Sequence, residues 1–364
     1  MHLSSLALTQ FKNYGQQRLT FGPDLNAFVG HNGAGKTNLL EAIYYLCMGK
    51  AYDSAPDQYA IRHGDDGARL EGTFRLEEDQ TDRIAIKLRK RKRKVIERNG
   101  TAYDRIGEHL GRYPVVIIVP DDISLVLEGS EQRRRLLDNS LSQTDPVYFR
   151  HLLDYNRLLA NRNALLKELD GRVDNSGLLD VYDVQMAPAA AYLHRARRDF
   201  VTPFTDLLAE AYATISGRRE SVGLTYRSHL NDTDWADLLR ERRDKDRILN
   251  RTSAGLHRDD LVFSQDGHPL RRVASQGQLK SFVLSLKLAQ YELLRRNTQR
   301  TPLLLLDDIF DKLDRERVRQ LLSLVTGNDY GQIFLTDTNV QRVKELLGVG
   351  GSLFRVEEGA VTPQ

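Results

Sequence analysis

The chain has 364 residues, with 53 Lys and Arg against 50 Asp and Glu, for a formal net charge of +3. It is 40% hydrophobic and 28% charged, an ordinary globular balance that excludes a disordered chain, and it is long enough for two domains or for one domain split by another. Its single Cys47 excludes an internal disulfide and a cysteine-built zinc site. The apolar runs, such as Val115 to Val119 and Leu303 to Leu306, are too short to cross a bilayer. Met1 is followed by neither a charged region nor an apolar stretch, so a cytoplasmic protein with no membrane partner is expected. The mild basic excess permits a nucleic-acid partner without requiring one.

In chain order, alternation at Leu6, Leu8, Phe11, Tyr14, Leu19 and Phe21 predicts two strands. Leu25 to Val29 reads as a buried strand, followed by a Gly-rich turn and a helix from about Lys36 to Leu46. Residues 68–99 alternate again, and Pro114 to Val119 is another buried strand. The middle of the chain changes period. Tyr148, Leu152, Tyr155, Leu159, Leu166 and Leu169 follow heptad steps with a polar interruption at Arg162. A second such run passes through Leu179, Tyr182, Met186, Ala189, Leu193, Ala196 and Phe200. Two antiparallel helices are expected, turning at Gly171 to Gly177, with Pro188 as a kink and Pro203 as a bend or an end. After Asn250 come a strand at Leu261 and Phe263, a long helix, and strands at Leu303 to Leu306, Ile333 to Leu335 and Leu353 to Val356. The reading is an α/β head, residues 1–125 and 251–364, interrupted by a mostly helical lobe, residues 126–250.

Gly30-His31-Asn32-Gly33-Ala34-Gly35-Lys36-Thr37 matches G-x-x-x-x-G-K-[ST], with a buried strand before it and a helix after. The glycines let backbone N–H groups face phosphate, and the helix adds the positive end of its dipole. Lys36 is expected on the β- and γ-phosphates of ATP, and the Thr37 hydroxyl on Mg²⁺. Leu303 to Leu306 delivers Asp307, the second expected metal ligand, and then Asp308, the carboxylate expected to activate water. Lys36 and Asp308 form the expected catalytic pair. Asp308 is one methylene shorter than the Glu usual there in ABC-type ATPases, which predicts slow hydrolysis.

Ser275-Gln276-Gly277-Gln278 opens the long helix, with Ser275 as its N-cap. The bland reading is a capped amphipathic helix. The sharper one is an ABC signature, in which Ser275, Gly277 and Gln278 bind the γ-phosphate held by a second copy and ATP joins a homodimer. Asp311 to Asp314 is then the expected D-loop, and Thr336-Asp337-Thr338 occupies the switch position. The fold class is an ABC-type P-loop ATPase head with an inserted helical lobe. No adenine-reading residue is secure; Lys12, Asn13 and Arg62 are candidates. Lys87 to Lys94 holds seven positive charges in eight residues between strand patterns. A solvated basic hairpin is the plain reading. The sharper one gives Arg89, Lys90, Arg91, Lys92, Arg93 and Lys94 phosphate contacts to DNA.

Over nearly its full length the chain resembles the RecF family of bacterial DNA replication and repair proteins. The matching stretches are Phe11-Lys12-Asn13-Tyr14, the phosphate loop continuing through Asn38 to Ile43, Gly129 to Arg135, Tyr155-Asn156-Arg157, Asn161 to Leu166, His257 to Leu261, Ser275 to Gln278 and Leu306-Asp307-Asp308. The resemblance implies an SMC-like head with a small helical lobe in place of a long coiled coil. It implies ATP-dependent dimerisation on gapped, single-stranded or duplex DNA, weak DNA-stimulated ATP hydrolysis, and cooperation with RecR and RecO in loading RecA and supporting the SOS response. The sequence departs from the family at Gly255-Leu256-His257, where Gly-Pro-His is usual, and at Asp311-Lys312-Leu313-Asp314, where Ser-Glu-Leu-Asp is common. A transporter ATPase subunit would share the nucleotide motifs, but the long insertion between Lys36 and Asp307 is foreign to that compact head. A DNA-binding protein with a vestigial site would not need the full motif set.

Overall fold

The computed structural model describes residues 1–53, 55–76, 80–217, 220–310, 330–347 and 350–364. These cluster into two compact units. The first comprises Met1–Asp122, Thr214–Gly217 and Lys280–Gln364; the second comprises Ile123–Ala213 and a further stretch ending at Leu279.

The chain starts with β1 (His2–Phe11), β2 (Tyr14–Thr20), β3 (Leu25–Val29) and α1 (Lys36–Met48). It continues with β4 (Gly67–Arg75), β5 (Thr81–Arg89), β6 (Val95–Arg98), β7 (Thr101–Ala102) and β8 (Val115–Ile118). The second unit follows with α2 (Ser130–Thr144), α3 (Pro146–Leu169), α4 (Leu178–Ser216), β9 (Val222–Arg227), α5 (Trp235–Leu249), β10 (Asp260–Gln265) and β11 (His268–Pro269). Then come α6 (Gln276–Thr298), β12 (Leu303–Leu306), β13 (Ile333–Asp337), α7 (Val340–Leu347), β14 (Ser352–Glu357) and β15 (Ala360–Pro363).

In the first unit one sheet runs β15-β14-β3-β13-β12-β8, parallel except for the β14–β15 hairpin. The other runs β2-β1-β4-β5-β6-β7 and is antiparallel. The apolar runs of β8 and β12 are buried along their whole length, as strands covered on both faces require. Helix α1 contacts both sheets and is buried on nearly every side: Leu39, Leu40, Ile43 and Leu46 are fully enclosed. Each such side chain contributes about 1.5–3 kcal/mol by leaving water. Gln332 crosses the interior between the sheets. Its amide donates to Leu3 O (2.8 Å) and Gly22 O (2.6 Å) and accepts from Leu3 N (2.7 Å), so its burial is fully compensated.

In the second unit α3 and α4 are the expected antiparallel pair, joined on facing positions by His151 stacked on Tyr192 and by Arg162 bonded to Asp183. Arg162, the polar break in the heptad run, is fully buried, because its guanidinium also binds Asp246 and Thr252 (2.8 Å each). Pro203 neither ends nor interrupts α4, which continues through both prolines to Ser216. Strands β11-β10-β9 form a small sheet in this unit. Residues 251–279 therefore cluster with the second unit, where the sequence reading puts them in the head, because β10 pairs with β9 and contacts α2. The expected D-loop, Asp311 to Asp314, lies outside the described residues.

Candidate nucleotide site

Strand β3 stops at Val29 and the chain turns through the loop into α1. Gly30 passes so close to β14 that a Cβ there would lie 2.2 Å from Val356 O. Gly33 (φ 81°) and Gly35 (φ 113°) take left-handed backbone that disfavours a side chain. Lys36, buried at the helix start, turns its ammonium back across the loop onto Gly30 O (2.8 Å) and His31 O (3.1 Å).

Asp307 arrives from the end of β12 and meets Thr37, 270 residues away in sequence. The Thr37 hydroxyl donates to its carboxylate, 2.9 Å from Oδ2. A second hydroxyl, Thr336 at the end of β13, donates to Asp307 Oδ1 (2.7 Å) and accepts the Asp308 N–H (2.9 Å). Thr336, read from sequence only as a switch position, is thus built into the acidic centre. Asp308 sits in left-handed backbone (φ 45°), which Asp tolerates better than most residues. Asp337, which follows Thr336 at the end of β13, is bound by Arg342 through two nitrogens at 2.6 and 2.7 Å.

The donor set suits Mg²⁺ held jointly with phosphate: one hydroxyl and one buried carboxylate converge, and the remaining ligands are left to phosphate and water. Among the described residues no cluster of three His, Cys, Asp or Glu forms an all-protein metal cage.

The signature residues fall in the second unit. Exposed Ser275 and half-buried Gln278 form a reciprocal cap: Ser275 N–H donates to Gln278 Oε1 (2.7 Å) and Gln278 N–H to Ser275 Oγ (3.3 Å). Gly277 follows in the first turn of α6, and Gln278 also donates to Glu220 (2.8 Å). The adenine candidates all have neighbours within the chain. Lys12 pairs with Glu41 (2.8 Å), Asn13 bonds to the loop itself, and the Arg62 guanidinium lies against Gly15.

The basic run is a turn between β5 and β6. Arg89, Lys90, Arg91, Lys92 and Arg93 are exposed, with Arg91 in left-handed backbone. Arg69, Lys87, Arg89, Lys92 and Arg93 line a groove of about 820 Å³, with Asp66 and Glu97 as its acids. Lys94 differs: it is largely covered, paired with Asp57 (3.0 Å) and set over the Tyr45 ring. Sequence also missed Lys287, which is buried on α6 and bonded to Asp122 (3.0 Å), Tyr52 Oη (2.7 Å) and Ile117 O (3.0 Å). A lysine in a helical pattern signals solvent, and nothing local reveals its partners.

A parallel sheet feeding a glycine loop and helix, with an acid delivered from the next strand but one, defines an ABC-type ATPase head of the SMC kind. Residues 2–351 match the family model described as RecF/RecN/SMC N terminal domain. A curated DNA replication and repair protein RecF from Parabacteroides distasonis is 43% identical, with 100% of this chain and 99% of that protein aligned. Two solved structures, of the recombination mediator protein RecF-ATPrS and RecF-ATP in the RecFOR pathway, give TM-scores of 0.90 and 0.89 at 30% and 29% identity. They cover all of this chain and 98% and 97% of theirs. The chain belongs to the RecF family.

Proposed function

We propose that this protein binds ATP with Mg²⁺ in the Gly30 to Thr37 loop and uses it as a switch in DNA replication and repair. The observation that carries the reading is the meeting of Thr37 and Asp307 at the mouth of that loop, beside the Lys36 ammonium. Lys36 exchanges its two carbonyl partners for the β- and γ-phosphate oxygens, and Thr37 and Asp307 are the residues that hold the metal. Bound Mg²⁺ supplies charge neutralisation on the phosphates. In hydrolysis a water attacks the γ-phosphorus, the bond to the β-phosphate oxygen breaks, and Asp308 takes the water's proton, giving ADP and phosphate. The short Asp308 makes this step slow, so the protein is a weak ATPase, and DNA stimulates it.

In this reading Ser275, Gly277 and Gln278 contact the γ-phosphate bound by a second copy, so ATP assembles a homodimer and hydrolysis releases it. The dimer holds gapped, single-stranded or duplex DNA, with Arg89 to Arg93 supplying phosphate contacts. It acts as a recombination mediator with RecR- and RecO-type partners, helps to load RecA and supports the SOS response. The family membership and the RecFOR description of the solved relatives support this role. Equilibrium titration with ATP tests its foundation. Lys36→Ala loses tight binding because the phosphate charge loses its cation; undiminished affinity would overturn the reading.

A further inference from the structure

The motif Phe11-Lys12-Asn13-Tyr14 has no role in the chemistry above, and neither has the carboxy-terminal hairpin β14–β15. Both end on the phosphate loop, the motif on two successive carbonyls and the hairpin on the first of them. Asn13 Nδ2 donates to Ala34 O (3.2 Å), and the Gly359 N–H at the hairpin tip donates to the same oxygen (3.1 Å). Tyr14 Oη donates to the next carbonyl, Gly35 O (2.9 Å). Burial pushes the Tyr14 phenol well above its ordinary pKa, so it remains a donor.

The hairpin is itself fixed on two sides. Strand β14 pairs in parallel with β3 up to Arg355 opposite Val29, and the Gln17 amide of β2 exchanges two hydrogen bonds with Val361 (3.0 and 3.2 Å). Its tip needs glycine twice over. Gly359 has φ 78°, and a Cβ there would sit 2.7 Å from Asn13 O, a backbone atom.

In a trans peptide the C=O and the following N–H point in opposite directions. Fixing Ala34 O and Gly35 O on the outer side of the loop therefore fixes the N–H groups of Gly35 and Lys36 on its inner side. We propose that the β14–β15 hairpin belongs to the nucleotide site, with Gly359, Asn13 and Tyr14 acting as positioning residues that aim the Gly35 and Lys36 N–H groups at phosphate. The proposal rests on the phosphate-loop reading above and adds residues that no nucleotide motif contains. Because the brace acts before any phosphate arrives, its loss weakens binding rather than altering what is bound.

The test is equilibrium titration of the full chain with ADP and Mg²⁺, well below the unfolding midpoint. Gly359→Ala forces the tip away from Asn13 and Ala34, while Tyr14→Phe removes one hydroxyl and keeps the packed ring. Each lowers ADP affinity by about three- to tenfold, the scale of one hydrogen bond. Thr362→Ala, exposed on β15, leaves it unchanged. A merely structural role would lower the unfolding midpoint and leave the affinity of the folded protein as in wild type. Wild-type affinity in both folded variants would overturn the proposal. Lys36→Ala, titrated alongside, separates the two readings: if it too binds like wild type, the phosphate-loop reading falls and the brace with it.

Discussion

At the scale of single residues, Asp307 is the hub of the site. It is almost fully buried, and the hydroxyls of Thr37 and Thr336 both donate to it. In the proposed site only the first hydroxyl would give way to a metal; the second keeps the carboxylate in place and holds the Asp308 backbone through its N–H. Thr336→Val keeps the shape and removes both bonds. Its expected effect is a fall in steady-state phosphate release of about tenfold, since a hydrogen bond to a charged group contributes roughly 1.5–3 kcal/mol. ADP affinity stays close to wild type. Unchanged turnover would show that Thr336 does not position the acids. Two histidines set a pH dependence at the same scale. Burial pushes His109 down to about 4, and its Nε2–H donates to Leu46 O (2.7 Å). His257, in the second unit, is pushed down to about 4 by the same cause; it accepts from Tyr155 Oη (3.0 Å) and donates to Thr252 O (3.0 Å). The unfolded chain takes up these protons near the ordinary value of about 6.5, and the folded chain resists until about 4. The unfolded state therefore binds more protons between those values, and stability falls as pH drops through that window. Urea midpoints at pH 7 and pH 5 check this. His109→Gln, which still donates to Leu46 O, should show a smaller drop; an equal drop would remove His109 from the account.

At the scale of elements, local signals carried far and stopped at pairings between distant segments. The glycine loop, the four leucines of β12 and the Ser275 cap are local patterns, so sequence alone locates them. Heptad spacing announces α3 and α4 for the same reason. The partners of Arg162 and Lys287 are not local, so a break in a stripe and a lone cation carry no hint of the carboxylates that enclose them. Continuation of α4 past Pro203 is likewise a tertiary outcome, since packing overrides the intrinsic breaking tendency of proline. The basic turn shows both cases. Its charge density is plain in the sequence, while the diversion of Lys94 onto Asp57 is not. Replacing Arg91, Lys92 and Arg93 with alanine is expected to weaken DNA binding and to lower the slope of log affinity against log salt by up to about 3, at roughly 0.9 per phosphate contact. Lys94→Ala should leave the slope unaltered and instead reduce stability, through the lost Asp57 pair. Salt titrations of the three proteins on one gapped duplex decide; matching slopes in wild type and triple variant would retire the turn as a DNA contact.

At the scale of the whole molecule, the phosphate loop and the signature turn belong to different compact units of one chain. The proposed switch needs both, one from each of two copies, so assembly and nucleotide state are one equilibrium. Ser275 is exposed, and because its Oγ accepts the Gln278 N–H, its own hydroxyl proton can still be donated to an anion. Light scattering of wild type and Ser275→Arg, with and without ATP and Mg²⁺, tests this claim most directly. The account predicts that ATP doubles the wild-type mass, and that Ser275→Arg still binds ATP but remains a monomer because the guanidinium fills the γ-phosphate contact. An ATP-dependent dimer of Ser275→Arg, or a wild-type mass that ATP leaves unchanged, would contradict it.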